Sequence, residues 1–220
     1  MDIFAALDAA RERRNVLEHP FYQRWSVGEL QARELALYAG EYRHAVLALA
    51  DASRAAVAQA DPARRAELER HAAEEAAHVE LWDDFARAVD GEVTGVHEPL
   101  AQTRACAQSW TAGEDLLETL AVLYTVEASQ PAISTTKLDG LATHYNIPAD
   151  SPGAAYFKLH ATLDIEHARQ ARELIAELMP EDAAEAEAVG KRMLASAQAA
   201  LEGNWLLLDG VQEQRVAAAA

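Results

Sequence analysis

The chain has a single cysteine, Cys106, among 220 residues. No intrachain disulfide is possible and a reducing cytoplasm is the expected setting, with the thiol read as a small buried hydrophobe rather than a nucleophile. Basic residues are scarce as well: 19 Lys and Arg stand against 36 Asp and Glu, a formal charge of −17 that no basic patch offsets. That balance repels nucleic acid and anionic lipid headgroups, so neither is an expected partner. No apolar run approaches the roughly 20 residues that span a bilayer. The opening MDIFAALDAARERR meets its charges too soon for a signal-peptide core. Aromatic residues make up only 6% of the chain and β-branched runs are nearly absent. What remains, dominated by alanine, leucine, glutamate and arginine, favours helix almost everywhere. With no linker-like stretch and no internal repeat, residues 1–220 read as one all-α domain, a single bundle of seven to eight helices.

In chain order, a helix is expected over 2–17, ending before His19-Pro20 because the residue ahead of a proline disfavours helix. Residues 21–25 follow as a connector. Ser26 and Glu29 form an S-x-x-E capping box that opens a long helix, and Asp61-Pro62 restarts the chain as a third helix to about Val89. A turn at 90–95 and a helix over 98–110 lead to a second box, Thr111 with Glu114, and an apolar helix over 114–129. Pro131 kinks or restarts that helix, which continues to 145. A loop at 146–153 precedes one helix over 154–178, and Pro180 begins a last helix that frays into an alanine tail.

Three residues of the 154–178 helix stand out. At about 100° per residue, His160, Asp164 and His167 fall within about 60° of one another, while Lys158, Thr162, Glu166, Arg169, Arg172 and Glu173 take the opposite, solvated side. Two imidazoles and a carboxylate on a buried face cost about 1–3 kcal/mol per unpaired group, and one metal ion satisfies all three. The plainer alternative is a pair of core histidines bonded to Asp164 or to a carbonyl. In the third helix Glu74, Glu75 and His78 share a stripe with Leu81, Trp82 and Phe85, and Glu75-x-x-His78 has the spacing at which carboxylate and imidazole converge on one ion. Glu127 lies on the face of Leu116, Leu120, Leu123 and Tyr124, where it is either protonated or bound to a cation. Oxygen ligands mixed with imidazole suit iron or manganese, and the set is large enough for two ions with positions open to oxygen. His71 is an alternative ligand on the stripe of His78. Glu41 and His44 form a competing E-x-x-H pair, whereas His19, His97 and His144 read as structural or exposed.

Four stretches, LEHPFYQRWSVGEL, HVELWDDFA, LYTVEASQPAISTTKLDGLATHYNI and YFKLHATLDIEHARQARELI, together resemble the haem-oxygenase-like di-metal oxidases. That superfamily also holds TenA-type and PqqC-type proteins, and the pattern is most similar to its CADD-like group, named for the chlamydial protein associating with death domains. The resemblance covers nearly the whole chain and implies the haem-oxygenase-like helical fold. It implies two metal ions, iron alone or manganese with iron, held by Glu74 or Glu75 with His78, by Glu127, and by His160, Asp164 and His167. It further implies oxygen and a reductant as co-substrates, with an external electron donor. The family spaces its first Glu and its His more widely than EEAAH does here; helical geometry favours Glu75, with Glu74 as alternate.

CADD-like proteins are implicated in making para-aminobenzoate for folate synthesis, consuming one of their own tyrosines as the ring, with a lysine as the proposed amine donor. The matching residues are Tyr22, Tyr38 and Lys137. The resemblance thus implies an oxygen-dependent oxidoreductase in which each chain turns over once at most. Taken alone, the two tyrosines would be core aromatics and Lys137 a surface lysine. A homodimer is expected by family analogy and from the apolar Trp205, Leu206 and Leu207 near the end. Two alternatives stay open: a di-iron oxidase acting on a diffusible small acid or amine, and a non-enzymatic helical interaction protein. A TenA-type thiaminase is disfavoured, because its cysteine is missing from LAVLYTVEAS.

Overall fold

The computed structural model describes residues 1–93 and 98–217, all-α among those residues. Its helices are α1 (Ile3–Arg13), α2 (Pro20–Ser26), α3 (Ala32–Gln59), α4 (Pro62–Ala88), α5 (Ala101–Trp110), α6 (Leu116–Glu127), α7 (Gln130–His144), α8 (Ala155–His160), α9 (Leu163–Leu178) and α10 (Ala183–Ala217), with 3₁₀ turns at Val16–Glu18 and Pro152–Ala154. The eight expected helices are all present. The two additional segments come from a helical connector and from the division of one long helix into two.

The connector is α2: Pro20 occupies the first turn, where its missing N–H costs nothing, and the His19 Nδ1 accepts the Phe21 N–H at 3.0 Å. The division falls at Ala161–Thr162, so His160 closes α8 while Asp164 and His167 belong to α9. The Thr162 N–H reaches back only to the Leu159 carbonyl, and its φ of −128° leaves the α region. One continuous stripe is thereby replaced by two short segments that aim the same three side chains inward from different angles.

Three helix starts differ from the expected ones. Ser26 ends α2, its hydroxyl donating to the Tyr22 carbonyl, and Glu34 instead reaches back to the Gln31 N–H at 2.9 Å to open α3. Gly28 makes the turn between them at φ +74°, with the His144 ring packed where a Cβ would stand. The Thr111 hydroxyl is spent on the Ala107 carbonyl of α5, so Asp115 caps α6 through the Glu118 N–H. Asp182 rather than Pro180 starts α10, accepting the N–H groups of Ala184 and Glu185. Part of the expected turn at 90–95, His97 and the end of the alanine tail lie outside the described residues.

α3 packs along α4, α10 lies against α5 and α6, and α6 against α9, around one continuous core. The few aromatics are concentrated there: Phe21, Tyr22, Trp25, Tyr38, Tyr42, Trp82, Phe85, Trp110 and Phe157 are all fully or almost fully buried. Cys106 is buried too, and burial pushes its thiol pKa up. The residues offered for a dimer face are largely used within the chain: Leu207 is in the core, and Trp205 packs edge-on against His19 with Arg14 over its ring. No described helix is long and apolar enough to cross a membrane.

Candidate metal centre and the adjoining aromatic chamber

Four helices bring their polar side chains to one point in the apolar interior. α4 supplies His71, Glu75 and His78, the last residue of α6 supplies Glu127, α8 supplies His160, and α9 supplies Asp164 and His167. All but His71 are buried, and the His71 side chain is 12% exposed. Glu75 is central: its Oε1 lies 3.1 Å from His78 Nδ1, 3.6 Å from His167 Nδ1 and 3.9 Å from His71 Nε2. Glu127 Oε1 is 2.8 Å from His71 Nε2, and Asp164 Oδ1 is 3.6 Å from His167 Nδ1. The ligand-type atoms of His71, Glu75, Glu127 and His167 all lie within 4.8 Å of one another, as do those of Glu75, His78 and His160, so Glu75 belongs to both groups.

These groups fit metal ions because they do not satisfy each other. Both oxygens of Asp164 and of Glu127, Oε1 of Glu75, and one ring nitrogen each of His71, His78, His160 and His167 are buried without a hydrogen bond of acceptable geometry. Orphaned atoms of this kind are rare in native interiors. Here they converge, as ligands around a common ion do. Two of the rings are also held from behind. His160 Nδ1 lies 2.7 Å from the Tyr156 carbonyl and must donate to it, which leaves the Nε2 lone pair facing the cluster. His167 Nε2 lies 2.9 Å from Glu74, which leaves Nδ1 inward. Glu74 is therefore outside the cluster, its side chain 40% exposed against 2% for Glu75.

Without a cation the carboxylates shape the local protonation. Burial alone would lower the His167 pKa, but Asp164, Glu127 and Glu74 raise it to about 9. Burial is likewise outweighed at His71, where Glu127 holds the ring above the ordinary imidazole value. At His160 burial wins and the pKa is lowered. Asp164 is raised by burial, whereas the His78 ring beside Glu75 overcomes burial and holds that carboxylate low. Bound cations would displace the imidazole protons and compensate the three carboxylates together.

The competing pair is used elsewhere. Glu41 is buried and accepts the Leu100 N–H at 3.1 Å and the Thr103 hydroxyl, closing the start of α5. Neither it nor His44 belongs to the two converging groups among the described residues. His19 caps α2 and pairs with Asp209 at 3.0 Å, and exposed His144 lies 3.2 Å from the Ser26 carbonyl.

Next to the cluster is a chamber of aromatic rings around Lys137. This lysine, a surface residue on a plain reading of its helix, is fully buried, and its Nζ has no hydrogen-bond partner. Nζ lies 4.8 Å from the Tyr42 ring centre, 5.0 Å from Phe157, 5.2 Å from Tyr38, 5.4 Å from Tyr22 and 5.5 Å from Trp82. Burial holds its pKa well below the usual lysine value, so the amine is biased toward its neutral form. The hydroxyls of Tyr22 and Tyr38 meet at 3.1 Å, and burial raises both phenol pKa values. Tyr156 joins chamber to cluster: its ring stacks on His160 at 3.9 Å and meets Trp82 edge-on at 4.9 Å. Sequence reasoning gave Tyr42, Tyr156 and Phe157 no role, and Trp82 only a place on the stripe of His78. The available signal was helical spacing, since Tyr42 is one turn from Tyr38, Trp82 one turn from His78, and Tyr156 one turn from His160.

Known proteins resemble this chain in sequence and in fold. Residues 36–201 match the family of iron-containing redox enzymes with a haem-oxygenase-like fold. The chain is 32% identical to the 4-aminobenzoate synthase of Chlamydia muridarum over 192 residues, which cover 83% of this chain and 81% of that one. It is also 32% identical to the 4-aminobenzoate synthase of Chlamydia trachomatis serovar D over 193 residues, covering 83% of each. Among solved structures, a TenA homologue from Pseudomonas syringae pv. tomato superposes with a TM-score of 0.81 at 17% identity, covering 96% of this chain and 91% of that one, a likeness of fold.

Proposed function

Because this chain belongs to the family of iron-containing redox enzymes, we propose that it is an oxygen-dependent di-metal oxidoreductase that forms 4-aminobenzoate from its own side chains. Tyr22 or Tyr38 gives the ring and Lys137 gives the nitrogen. The observation that carries this reading is the placement of Lys137, an unpartnered amine sealed among tyrosine rings beside a cluster of unsatisfied metal-ligand atoms. A tyrosine ring with its Cβ already holds the carbon skeleton of the product, and its hydroxyl is para to Cβ as the product's amine is para to the carboxylate. The names of the relatives at 32% identity support the same product.

Glu75, His78, Glu127, His160, Asp164 and His167 would hold the metal, iron alone or with manganese, which when bound and reduced supplies the oxygen chemistry. The chain's own contributions are position and dryness. The Tyr22–Tyr38 hydrogen bond fixes both phenols, and the surrounding rings keep water from Lys137, whose neutral form has the lone pair a new bond to nitrogen requires. A ring that is part of the chain is already held at high effective concentration and is consumed once. The product is the aromatic precursor of folate. An external electron donor and a homodimeric state belong to this reading by family analogy.

The test is to load purified protein anaerobically with iron, or with iron and manganese, and add reductant and oxygen with no organic substrate. Protein labelled with ¹³C-tyrosine and ¹⁵N-lysine should release 4-aminobenzoate carrying both labels, at less than one per chain. Unlabelled product, or sustained turnover of an added acid or amine, would replace self-consumption with a diffusible substrate.

A further inference from the structure

The two groups of converging side chains are unequal. Glu75, His78 and His160 make one; His71, Glu75, Glu127 and His167 make the other, with Asp164 3.6 Å from His167. His71 is the surplus member, outside the ligand set that the resemblance implies. Its Nε2 lies 2.8 Å from Glu127 Oε1, yet both atoms are buried without an acceptable hydrogen bond. Close approach without alignment is what two ligands of one ion show, whereas a simple ion pair would align its N–H on the oxygen. The His71 and His167 rings are 4.4 Å apart and inclined at 62°, so they meet edge to face instead of stacking. A small cavity lined by Glu67, Leu68, His71, His167 and Gln170 adjoins this end of the cluster.

We propose that His71 is a further metal ligand and that it makes the position shared with Glu127 and His167 select iron(II) over manganese(II). The inference rests on the metal reading above. Without His71 that position offers one imidazole among as many as three carboxylates, a hard set of the kind that suits manganese. A second imidazole shifts the preference toward iron, which already stands above manganese in intrinsic affinity for such ligands. The counterpart built on Glu75, His78 and His160 has two imidazoles, so His71 gives both positions the same nitrogen count.

The experiment is anaerobic loading of metal-free protein with equimolar iron(II) and manganese(II), then desalting and elemental analysis, for the native chain, His71→Ala and His71→Gln. The glutamine can still donate to Glu127 but is a much weaker ligand. Both variants should lower the bound iron-to-manganese ratio on the order of tenfold. Cobalt(II)-loaded native protein should show hyperfine-shifted proton resonances from the His71 ring that both variants lack. Circular dichroism melting of the metal-free variants checks the fold, and the glutamine variant carries the test if alanine does not fold. An unchanged ratio in both variants, with about two ions still bound by the native chain, overturns the role of His71 alone. So does a native ratio in His71→Gln beside a lowered one in His71→Ala, which would make His71 only a hydrogen-bond partner of Glu127. A native chain that binds no metal overturns this inference together with the metal reading.

Discussion

The side-chain nitrogen of Lys137 lies 5.2 Å from the centre of the Tyr38 ring, fully buried and without a hydrogen-bond partner. Burial lowers its pKa well below the ordinary value of 10.5. Between the lowered folded value and the unfolded one, the unfolded chain binds the extra proton, so stability rises as pH rises through that window and levels off above about 10.5. Replacing Lys137→Met removes the buried amine and this dependence. Thermal unfolding should show a stabilised protein near neutral pH, by on the order of 1–3 kcal/mol, and a flatter rise toward alkaline pH. The variant should keep its metal and release no product. A native pH slope in Lys137→Met would mean that the amine is solvated.

The hydroxyls of Tyr22 and Tyr38 share one hydrogen bond, so either substitution to phenylalanine leaves the other phenol unpaired. Each should cost about 0.5–1.5 kcal/mol in denaturant unfolding and leave metal content unchanged. They part company in product. The consumed residue, once replaced by phenylalanine, no longer gives 4-aminobenzoate, while the other variant gives a reduced yield. Full yield from both would remove these two tyrosines as the source of the ring.

Gly140 passes so close to the Trp25 indole that a Cβ there would overlap Nε1 and Cδ1 of that ring. Trp25 donates to the Lys137 carbonyl at 3.3 Å and packs 5.9 Å from the Tyr38 ring. Gly140→Ala should therefore destabilise by roughly 1–3 kcal/mol and disturb the chamber more than the metal cluster. A fall in product yield larger than any fall in metal content, measured on protein still folded at the assay temperature, is the expected pattern. A wild-type melting temperature would show that the indole moves aside freely.

Helical periodicity made much of this legible. His160, Asp164 and His167 reach the interior because their spacing outlasts the break at Ala161–Thr162, which periodicity does not register, since it depends on backbone hydrogen bonds and not on which side chains are apolar. The shifted helix starts have a similar origin. Several residues in a row can cap a helix, and neighbours decide among them: the Thr111 hydroxyl is engaged by Ala107, and Glu34 is anchored by Arg24 at 2.8 Å. Lys137 was the least readable residue by composition, because an isolated lysine in a polar-looking helix gives no sign that its side chain ends among rings from four other helices. Only the resemblance pointed to it. Tyr156 lay one turn from His160 in plain view, but stacking across that turn is a matter of rotamer rather than spacing.

Adjacent glutamates, Glu74 and Glu75, take opposite roles, and their substitutions should separate them. Glu75 faces three imidazoles from the interior and belongs to both converging groups, so Glu75→Gln removes a charged ligand from each position and should abolish binding of both ions. Glu74 instead meets the outward nitrogen of His167, at 2.9 Å, where a carboxylate orients the ring and raises its basicity. Glu74→Gln should retain the full number of ions at saturation while weakening affinity by about 10- to 100-fold. Competition with a chelator of known strength, read by elemental analysis, measures both quantities. If Glu74→Gln lost an ion outright while Glu75→Gln kept two, the assignment would reverse, and α4 would have to rotate by about 100° on ion binding to bring Glu74 inside. The buried contacts of Trp82 and Phe85 on the same helix make that rotation costly, because both rings would leave the core together.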